Sequence, residues 1–449
     1  MDFNSLDRLY TLFQQSSGVT TDSRKIAPEA MFIALKGENF DGNNFAQSAL
    51  DQGARVVVVN GESDFAREYL SRGDSSDRVF IVEDTLEALQ ALARFHRSHF
   101  NIPVIALTGT NGKTTTKELL STVLSRKYNV TFTQGNLNNH IGVPLTLLRI
   151  TEETEAAVVE MGANHPGEIA LLMSIALPNF GLVTNVGKAH LEGFGSFEGV
   201  MAAKGEMYDY LQRTADKVFY NCDDEYISAM VSSRPDLTGY RYGIQYNSAE
   251  ILPVSQQEPY LRLKFSIEGE QKEISSKLVG SYNANNILAA VTVGVYFGVT
   301  LSDCVAAIEE YTPSNHRSQL EKTGRNFLIL DTYNANPSSM KASLENFSKS
   351  QFLNKQIILG DMLELGADSV AEHSKVIALL GQIEFEKCHL VGGEFAKAAA
   401  LLSTLPENIL LFNDVYALKE YFAAHPVEGK TILVKGSNGI KLPLIKEVL

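Results

Sequence analysis

The residues best suited to chemistry lie in one short stretch that holds two glycines, a lysine and several hydroxyls. Gly109 and Gly112 allow backbone N–H groups to approach phosphate oxygens, and Lys113 adds a full positive charge. Thr114 directly follows the lysine, where a hydroxyl can ligate Mg²⁺. Leu107 occupies the position of the first glycine in the general P-loop pattern, so the match is partial. The stretch predicts a phosphate-binding loop whose candidate contacts are Gly109, Thr110, Asn111, Gly112, Lys113, Thr114 and Thr115.

The residues on either side of this loop predict the elements that must hold it. Five mostly apolar residues, 104–108, indicate a buried parallel strand. After Lys113, the apolar residues recur at helical spacing, which predicts a helix that opens on the lysine; these residues are Leu119, Leu120, Val123 and Leu124. A strand that runs through a glycine turn into a helix N-terminus is the geometry that phosphate binding requires.

Three further side chains could take part in the same chemistry. Glu160 ends the apolar run 156–160, and an acid at the carboxyl end of a strand beside a phosphate loop can hold Mg²⁺. His190 follows the run 182–186, where it is either a hydrogen-bonded structural histidine or a ligand. Lys204 lies on a predicted helix over 197–211; as an ammonium it cannot ligate a cation and would ordinarily be solvated.

Length and composition limit the class of protein. A chain of 449 residues exceeds what one hydrophobic core usually serves, so two or three domains are expected. The net charge of −14 argues against a nucleic-acid partner. Cys222, Cys304 and Cys388 lie far apart, which disfavours a disulfide scaffold or a zinc ribbon. With no signal-peptide pattern and no apolar run long enough to span a membrane, we expect a cytoplasmic protein.

The pattern of elements predicts an α/β protein of three domains. We expect a small N-terminal α/β domain over 1–100, a central P-loop-type ATPase domain over 101–312 and a C-terminal domain over 313–449. In the last of these, five apolar runs alternate with helical segments, which predicts a doubly wound, Rossmann-like open sheet. No G-x-G-x-x-G follows a strand, so a nicotinamide site is disfavoured.

The string Thr-Gly-Thr-Asn-Gly-Lys-Thr-Thr-Thr at 108–116 resembles the nucleotide loop of the Mur ligase family, which joins amino acids to carboxylates at the expense of ATP. Segments in all three predicted domains resemble the same family, in its order. They are Thr-Asp-Ser-Arg at 21–24, Phe-Ile-Ala-Leu-Lys-Gly at 32–37, Ala-His-Leu-Glu at 189–192, the polar turn and helix at 280–290, Asp-Thr-Tyr-Asn-Ala-Asn-Pro at 331–337, the loop 360–366 with His373, and Lys-Gly-Ser at 435–437.

This resemblance implies ATP and, as we expect, two Mg²⁺ ions. Thr114 and Glu160 would hold the first ion, and His190 and a carbamylated Lys204 the second, since carbamylation turns the amine into an oxygen ligand. The implied catalytic residues are Lys113, His190, Lys204 and Arg317. Asn285, Arg317 and Asp331 would complete the ATP site.

The resemblance also implies two further substrate sites. A UDP-linked substrate, UDP-N-acetylmuramoyl-tripeptide, would contact Thr21, Ser23, Arg24, Ala34, Gly37, Asp41, Asn138 and Asn139. From their residue types alone, the segments around 21–24 and 32–42 can equally be turns. The motifs of the third domain resemble those of family members that add D-alanyl-D-alanine, whose site would include Asn334, Asn336, Asp361 and Glu364. Asn438 and Leu330 depart from residues that many such members carry.

The sequence leaves three alternatives open. The chain could be another ligase of the superfamily, either tripeptide-forming or folate-polyglutamylating. It could be a plain P-loop phosphotransferase or NTPase, which would leave the segments around Lys204 and Asn285 unexplained. It could also be a non-catalytic nucleotide-binding partner, which would be expected to lack Lys113 or Glu160. We expect a monomer.

Overall fold

The computed structural model describes residues 2–73, 76–313 and 319–449, and it divides them among three α/β domains. The predicted three-domain α/β architecture is confirmed. The boundaries at 100/101 and 312/313 stay predictions. Arg317 lies outside the described residues.

The N-terminal domain is built on a small parallel sheet. Its four strands lie in the order Val19–Thr20, Met31–Ile33, Val56–Asn60, Val79–Val82, beside a two-stranded hairpin of Lys36–Gly37 and Phe40–Asp41. The α-helices are Phe3–Gln14, Ala46–Asp51, Asp64–Ser71 and Thr85–Ser98, with a 3₁₀ helix at Gly42–Phe45. One interpretation of the sequence placed turns in the segment around Phe32. The structure instead has a fully buried strand there, because its apolar side chains complete the core.

The central domain carries a six-stranded parallel sheet with the predicted phosphate-loop strand in its interior. The strand order is Thr238–Tyr242, Lys217–Asn221, Phe180–Val183, Val104–Thr108, Ala156–Glu160, Val130–Phe132. An antiparallel sheet consists of Glu250–Ile251, Arg262–Ile267 and Glu270–Ser275. Buried positions alternate with less buried ones along Arg262–Ile267, as in a strand with one face on the core. The α-helices are Lys113–Leu124, Gly142–Leu147, Glu168–Ala176, Leu191–Phe194, Phe197–Arg213, Glu225–Ser232, Ala284–Tyr296 and Leu301–Glu310, with a 3₁₀ helix at Ser281–Asn283.

The C-terminal domain has the expected open sheet with one antiparallel edge. Its strands lie in the order Gln319–Lys322, Phe327–Asp331, Thr431–Lys435, Lys355–Gly360, Lys387–Val391, Ile409–Phe412. The edge strand Gln319–Lys322 was not predicted, because its residues are mostly polar. The helices are Pro337–Lys349, Ser369–Leu380, Gly393–Ala399 and Val415–Ala424, with 3₁₀ turns at Gly366–Asp368, Asn438–Ile440 and Leu442–Val448.

The N-terminal and central domains share a hydrophobic cluster across their boundary, and each also has a cluster of its own. The third domain has two clusters, and Val279 of the central domain belongs to one of them. Helix Thr85–Ser98 packs against central-domain helices Gly142–Leu147 and Glu168–Ala176. His96 Nε2 lies 2.8 Å from the carbonyl oxygen of Ile150, which adds a polar contact across the same boundary. The third domain meets the central domain through apolar packing of Val279 and through polar contacts around the phosphate loop, among them Asn336 with Asn111. Within the described part of the chain, no helix combines the length and apolar character that spanning a bilayer requires.

Candidate active site

The phosphate loop fits between two neighbouring segments of the central domain that leave no room for side chains at its glycines. Gly109 has φ +144°, and a Cβ there would lie 2.0 Å from Thr184 Oγ1. Gly112 has φ +78°, and its Cβ would lie 2.7 Å from Asn286 Oδ1. Both positions therefore require glycine, for conformation and for space.

Side chains from the segment that follows strand Phe180–Val183 hold the loop in shape. Asn185 Oδ1 accepts a hydrogen bond from the N–H of Asn111 at 3.0 Å, and Asn185 Nδ2 donates to the Asn111 carbonyl at 2.9 Å. Thr110 Oγ1 accepts a bond from the N–H of Gly187 at 2.9 Å. These three hydrogen bonds stabilise the loop in this shape, and a preorganised loop favours recognition of phosphate.

The lysine of the loop lies over its own backbone. Lys113 begins helix Lys113–Leu124, and its Nζ donates to the carbonyl oxygens of Gly109 at 2.7 Å and Thr110 at 3.2 Å. This places a positive charge at the mouth of the loop, next to the helix N-terminus. Thr110, Asn111, Gly112, Lys113 and Thr115 all line the cavity described below.

Glu160 is a buried acid with one oxygen satisfied and the other not. Its Oε1 accepts hydrogen bonds from Asn138 Nδ2 at 2.8 Å and Thr114 Oγ1 at 3.2 Å. Its Oε2 is buried and has no hydrogen-bond partner among the described residues. An uncompensated buried carboxylate oxygen beside a hydroxyl is a donor set that suits a hard divalent cation. The residues present therefore fit the Mg²⁺ that the sequence implies.

His190 and Lys204 lie close enough to Lys113 for its charge to act on both, and His190 also lines the cleft. Burial lowers the pKa of His190, and the nearby charges of Lys113 and Lys204 lower it further, while Glu364 opposes the shift. Burial, reinforced by Lys113, lowers the pKa of Lys204 to about 7. A neutral amine is the form that reacts with CO₂, so this environment favours the carbamylation that the family resemblance implies. Among the described residues, no three His, Cys, Asp or Glu side chains cluster as a ready-made metal site.

The third domain contributes a buried ion pair to the cleft. Asp331 and Lys435 are directly opposite each other on neighbouring parallel strands. Lys435 Nζ donates to Asp331 Oδ2 at 2.6 Å, and Ser343 Oγ donates to the same oxygen at 3.2 Å. The Lys435 side chain is 1% exposed. These two contacts fix the Asp331 carboxylate at the cavity wall, which all three residues line.

Four residues were predicted for the dipeptide site. Asn334 and Asn336 line the cleft, and Glu364 lies at its edge beside His190. Asp361 instead stabilises the fold of the third domain. Asp361 accepts backbone hydrogen bonds from Glu394 at 3.0 Å and Phe395 at 2.9 Å, at the start of helix Gly393–Ala399. It is 4% exposed. Both oxygens of the Asp361 carboxylate accept hydrogen bonds from the N-terminus of this helix, so the side chain stabilises the fold. We therefore assign Asp361 a structural role beside the dipeptide site.

Most residues predicted for the UDP-linked substrate lie apart from this cleft, on the N-terminal domain. Arg24 is exposed and forms a two-bond contact with Asp22, at 2.8 and 2.9 Å. Asp41 Oδ1 accepts the N–H of Asn43 at 2.9 Å and shapes a turn. The other members of this group on that domain are Thr21, Ser23, buried Ala34 and Gly37 in the hairpin. Asn138 and Asn139 are instead in the central cleft, where Asn138 orients Glu160.

One cavity of about 740 Å³ lies between these groups. It is lined by the phosphate loop, Glu160, His190 and the ion pair of the third domain. The central domain forms one wall, and the third domain forms the other through residues that include Asp331, Asn334, Ser339 and Lys435. Ligands of open α/β sheets bind beyond the carboxyl ends of strands, and here two such sheets present those ends to the same space.

Sequence reasoning missed four residues that the structure places at this cavity. Asn283 and Asn286 line it, and Asn286 packs on Gly112, whereas Asn285 does not line it. In the family motif that this segment resembles, a glycine is followed six positions later by an asparagine. Counted from Gly280, that asparagine is Asn286, so the assignment to Asn285 was one position off. Lys435 and Ser343 were also missed as partners of Asp331; the Lys-Gly-Ser string was the only hint.

A phosphate loop on one parallel sheet faces a second sheet with a buried ion pair across the cavity, which is the arrangement of a nucleotide-dependent α/β enzyme. Family models match the three domains in turn: "Mur ligase family, catalytic domain" over residues 15–97, "Mur ligase middle domain" over 107–294 and "Mur ligase, glutamate ligase domain" over 316–438. The chain belongs to the Mur ligase family, and the resemblance inferred from its motifs is confirmed.

Relatives within the family are similar over nearly the whole chain. The UDP-N-acetylmuramoyl-tripeptide–D-alanyl-D-alanine ligase of Bacillus subtilis (strain 168) is 34% identical over 443 residues, which cover 96% of this chain and 93% of that protein. The crystal structure of MurF from Acinetobacter baumannii matches with a TM-score of 0.86 at 27% identity, covering 98% and 97% of the two chains. MurF from Thermotoga maritima, solved in complex with ADP, matches with a TM-score of 0.83 at 26% identity over 97% of each chain.

Proposed function

We propose that this protein is an ATP-dependent ligase that joins D-alanyl-D-alanine to UDP-N-acetylmuramoyl-tripeptide. The products are UDP-N-acetylmuramoyl-pentapeptide, ADP and phosphate, and the reaction belongs to the synthesis of peptidoglycan precursors. The observation that carries the proposal is the match over 96% of the chain to a relative named for this activity. The cavity between the central and third domains supports it, since three substrates must meet there.

The reaction has two steps whose atoms balance. An oxygen of the terminal carboxylate of the tripeptide attacks the γ-phosphorus of ATP, and ADP leaves, which gives an acyl phosphate. The amine of D-alanyl-D-alanine then attacks the acyl carbon, loses a proton and expels phosphate to form the amide. Both steps move negative charge, so the protein acts by positioning the groups and neutralising that charge.

Lys113 is the residue to which we assign the β- and γ-phosphates, because it stands over the loop with its Nζ at the loop carbonyls. Thr114 and Glu160 would hold the first Mg²⁺, and the unpaired Oε2 of Glu160 supports this. His190 and carbamylated Lys204 would hold the second. When bound, these ions supply charge neutralisation for the transferring phosphoryl group.

The remaining roles follow from position. Asp331 would accept a hydrogen bond from the nucleotide, because Lys435 and Ser343 fix its carboxylate at the cavity wall. Asn286, which packs on the phosphate loop, replaces Asn285 as the contact that we assign to this motif. We also assign Arg317 to the γ-phosphate, on the family resemblance alone. The exposed Arg24 and its neighbours on the N-terminal domain would hold the UDP group.

We also propose that the protein acts as a monomer in the cytoplasm, where ATP and UDP-linked precursors are made. The residues that line the cavity come from the central and third domains of one chain, so a second copy is not needed to complete it.

The test is release of phosphate from ATP in the presence of each substrate. Release that requires both UDP-N-acetylmuramoyl-tripeptide and D-alanyl-D-alanine, with a UDP-pentapeptide product by mass spectrometry, is the expected result. Equal release without either substrate would replace the ligase by a plain NTPase. Omission of D-alanyl-D-alanine is the matched control, because phosphate release should then fall to background.

A further inference from the structure

Asn336 contacts two domains with one amide side chain. It precedes helix Pro337–Lys349 in an extended conformation, and its Oδ1 accepts the N–H of Ser339 at 2.9 Å. The N–H of Asn336 in turn donates to Ser339 Oγ at 3.1 Å, which completes a capping box. The acceptor half of the amide therefore belongs to the third domain.

The donor half of the same amide reaches the central domain. Asn336 Nδ2 donates to Asn111 Oδ1 in the phosphate loop at 2.8 Å. The helix cap determines which way the amide faces, because Ser339 N–H requires an oxygen and so leaves Nδ2 for Asn111. An N-cap needs only an acceptor, and Ser or Asp would cap about as well as Asn. The helix cap alone therefore does not explain why residue 336 is an asparagine, whose Nδ2 also bonds Asn111.

The surroundings leave little freedom at this contact. The backbone of Asn111 is held by Asn185, so its side chain leaves the loop in a fixed direction. Beside it, the N–H of Lys188 donates to Ser338 Oγ at 3.0 Å. A Cβ on Gly187 would lie only 2.7 Å from that oxygen. The first turn of the third-domain helix is therefore seated directly against the loop assembly.

We propose that Asn336 is a positioning residue that couples the conformation of the phosphate loop to closure of the third domain. Asn336 is 7% exposed, so in the closed arrangement its Nδ2 must find its partner on Asn111 or remain buried without one. Closure is then favoured when the phosphate loop presents Asn111 Oδ1 to the third domain, as it does in this structure, and a nucleotide bound in the loop should favour the same conformation. This inference rests on the proposed function only in taking a nucleotide to occupy the loop.

The test is a double-mutant cycle between Asn336→Ser and Asn111→Ala. Serine retains the helix cap but is too short to reach Asn111, so the domain stays folded while the bridge is lost. The matched control is Asn346→Ser on the same helix, because Asn346 Oδ1 accepts the N–H of Ser281 at 2.8 Å and joins the same two domains away from the loop. Affinity for the ATP analogue adenylyl imidodiphosphate is measured by calorimetry, and kcat/KM for ATP by phosphate release.

We expect Asn336→Ser to weaken analogue binding about 3- to 10-fold, which is the net value of one hydrogen bond. In the Asn111→Ala background it should cause no further loss, whereas Asn346→Ser should add its own effect in either background. The melting temperature of Asn336→Ser should match that of the wild type, while Asn336→Ala, which loses the cap as well, should melt lower.

Two results would overturn the proposal. One is that Asn336→Ser weakens analogue binding equally in the wild-type and the Asn111→Ala backgrounds. The other is that the effects of Asn346→Ser and Asn111→Ala on binding are not additive. The binding cycle does not need turnover. A chain that binds the analogue and shows the expected cycle, but forms no pentapeptide, would overturn the proposed function and leave this inference standing.

Discussion

His190 Nδ1 lies 2.6 Å from Glu364 Oε2, so a histidine of the central domain is oriented by a carboxylate of the third. Both residues have left-handed backbone conformations, with φ +50° and +64°. Such conformations cost about 1–3 kcal/mol each in non-glycine residues and persist where the surroundings impose them. A carboxylate on Nδ1 leaves Nε2 as the nitrogen for a ligand, which is the usual arrangement behind a metal-binding histidine.

Removing the Glu364 carboxylate should weaken the function of His190. We expect Glu364→Ala to reduce kcat or Mg²⁺ affinity about 10- to 100-fold, the usual cost of losing the partner of a ligating histidine. Glu364→Gln keeps an acceptor at the same reach and should lose much less. The measurement is the initial rate as a function of Mg²⁺ concentration. Equal losses in the two variants would mean that the negative charge, and not the orientation of the ring, is what matters.

Glu160→Gln should separate activity from stability. The substitution removes the charge that we assign to Mg²⁺, so we expect a loss of at least about 100-fold in kcat, in line with deletion of a main electrostatic contact. In EDTA the free energy of unfolding should stay level or rise by about 1–3 kcal/mol, because a buried charge with an unpaired oxygen is removed. Urea unfolding with and without Mg²⁺ measures both effects. A variant that is destabilised in EDTA would show that Glu160 is structural.

Lys435→Met should lower both the folding stability and the affinity for ADP, because it breaks the buried ion pair with Asp331. Asp331 would keep its charge without its partner, which costs about 3 kcal/mol of folding stability, and its carboxylate would lose its orientation. We therefore expect weaker ADP binding as well as lower stability. Ser343→Ala removes only the hydroxyl contact at 3.2 Å and serves as the control. Unchanged ADP affinity in Lys435→Met would refute the role of Asp331 at the nucleotide.

Gly112→Ala should abolish nucleotide binding through a steric conflict with Asn286. The new Cβ would lie 2.7 Å from Asn286 Oδ1, at a φ of +78°. Gly135→Ala is the control, since Gly135 also has a positive φ, +54°, but no atom within 4 Å of its Cβ. Strain alone costs about 1–2 kcal/mol. Calorimetry with ADP should show a loss for Gly112→Ala and near-normal affinity for Gly135→Ala.

His389 should make the third domain less stable in acid. Burial lowers the pKa of His389 from its ordinary value of 6.5 to about 4. Between those values the unfolded chain binds a proton that the folded chain does not, so stability falls as pH decreases from 6.5 to 4. The loss is on the order of 3 kcal/mol.

His389→Phe should flatten this part of the pH profile, since the ring lies among Phe412, Tyr421 and Phe422 and can be replaced by another aromatic ring. His425→Phe, at an exposed position of the same domain, is the control. Thermal unfolding followed by circular dichroism from pH 4 to 7 is the measurement. An unchanged slope in His389→Phe would assign the acid sensitivity to other groups.

Local patterns were sufficient for much of the site. The apolar run before Gly109, the glycines and Lys113 predicted a strand, a loop and a helix, and the structure has them at Val104–Thr108 and Lys113–Leu124. The position of Glu160 at a strand end followed from the same reasoning. Each of these features depends on residues within one or two elements, where spacing and side-chain type determine conformation.

Asn286, Lys435 and the edge strand Gln319–Lys322 escaped prediction for a common reason. Asn286 matters because it packs on Gly112, and Lys435 because parallel pairing sets it opposite Asp331. The edge strand forms because a neighbouring strand, Phe327–Asp331, offers it hydrogen bonds. In each case the partner is distant along the chain or the segment has no apolar pattern of its own.

The amino-acid sequence by itself determined which side chains can bind phosphate, which strands carry them and which family the chain belongs to, because these depend on short-range pattern. Only the tertiary structure decided that Glu364 orients His190 and that Asn336 reaches Asn111. Those pairs form across a boundary between domains, and their geometry depends on how two separately folded sheets pack against one cavity.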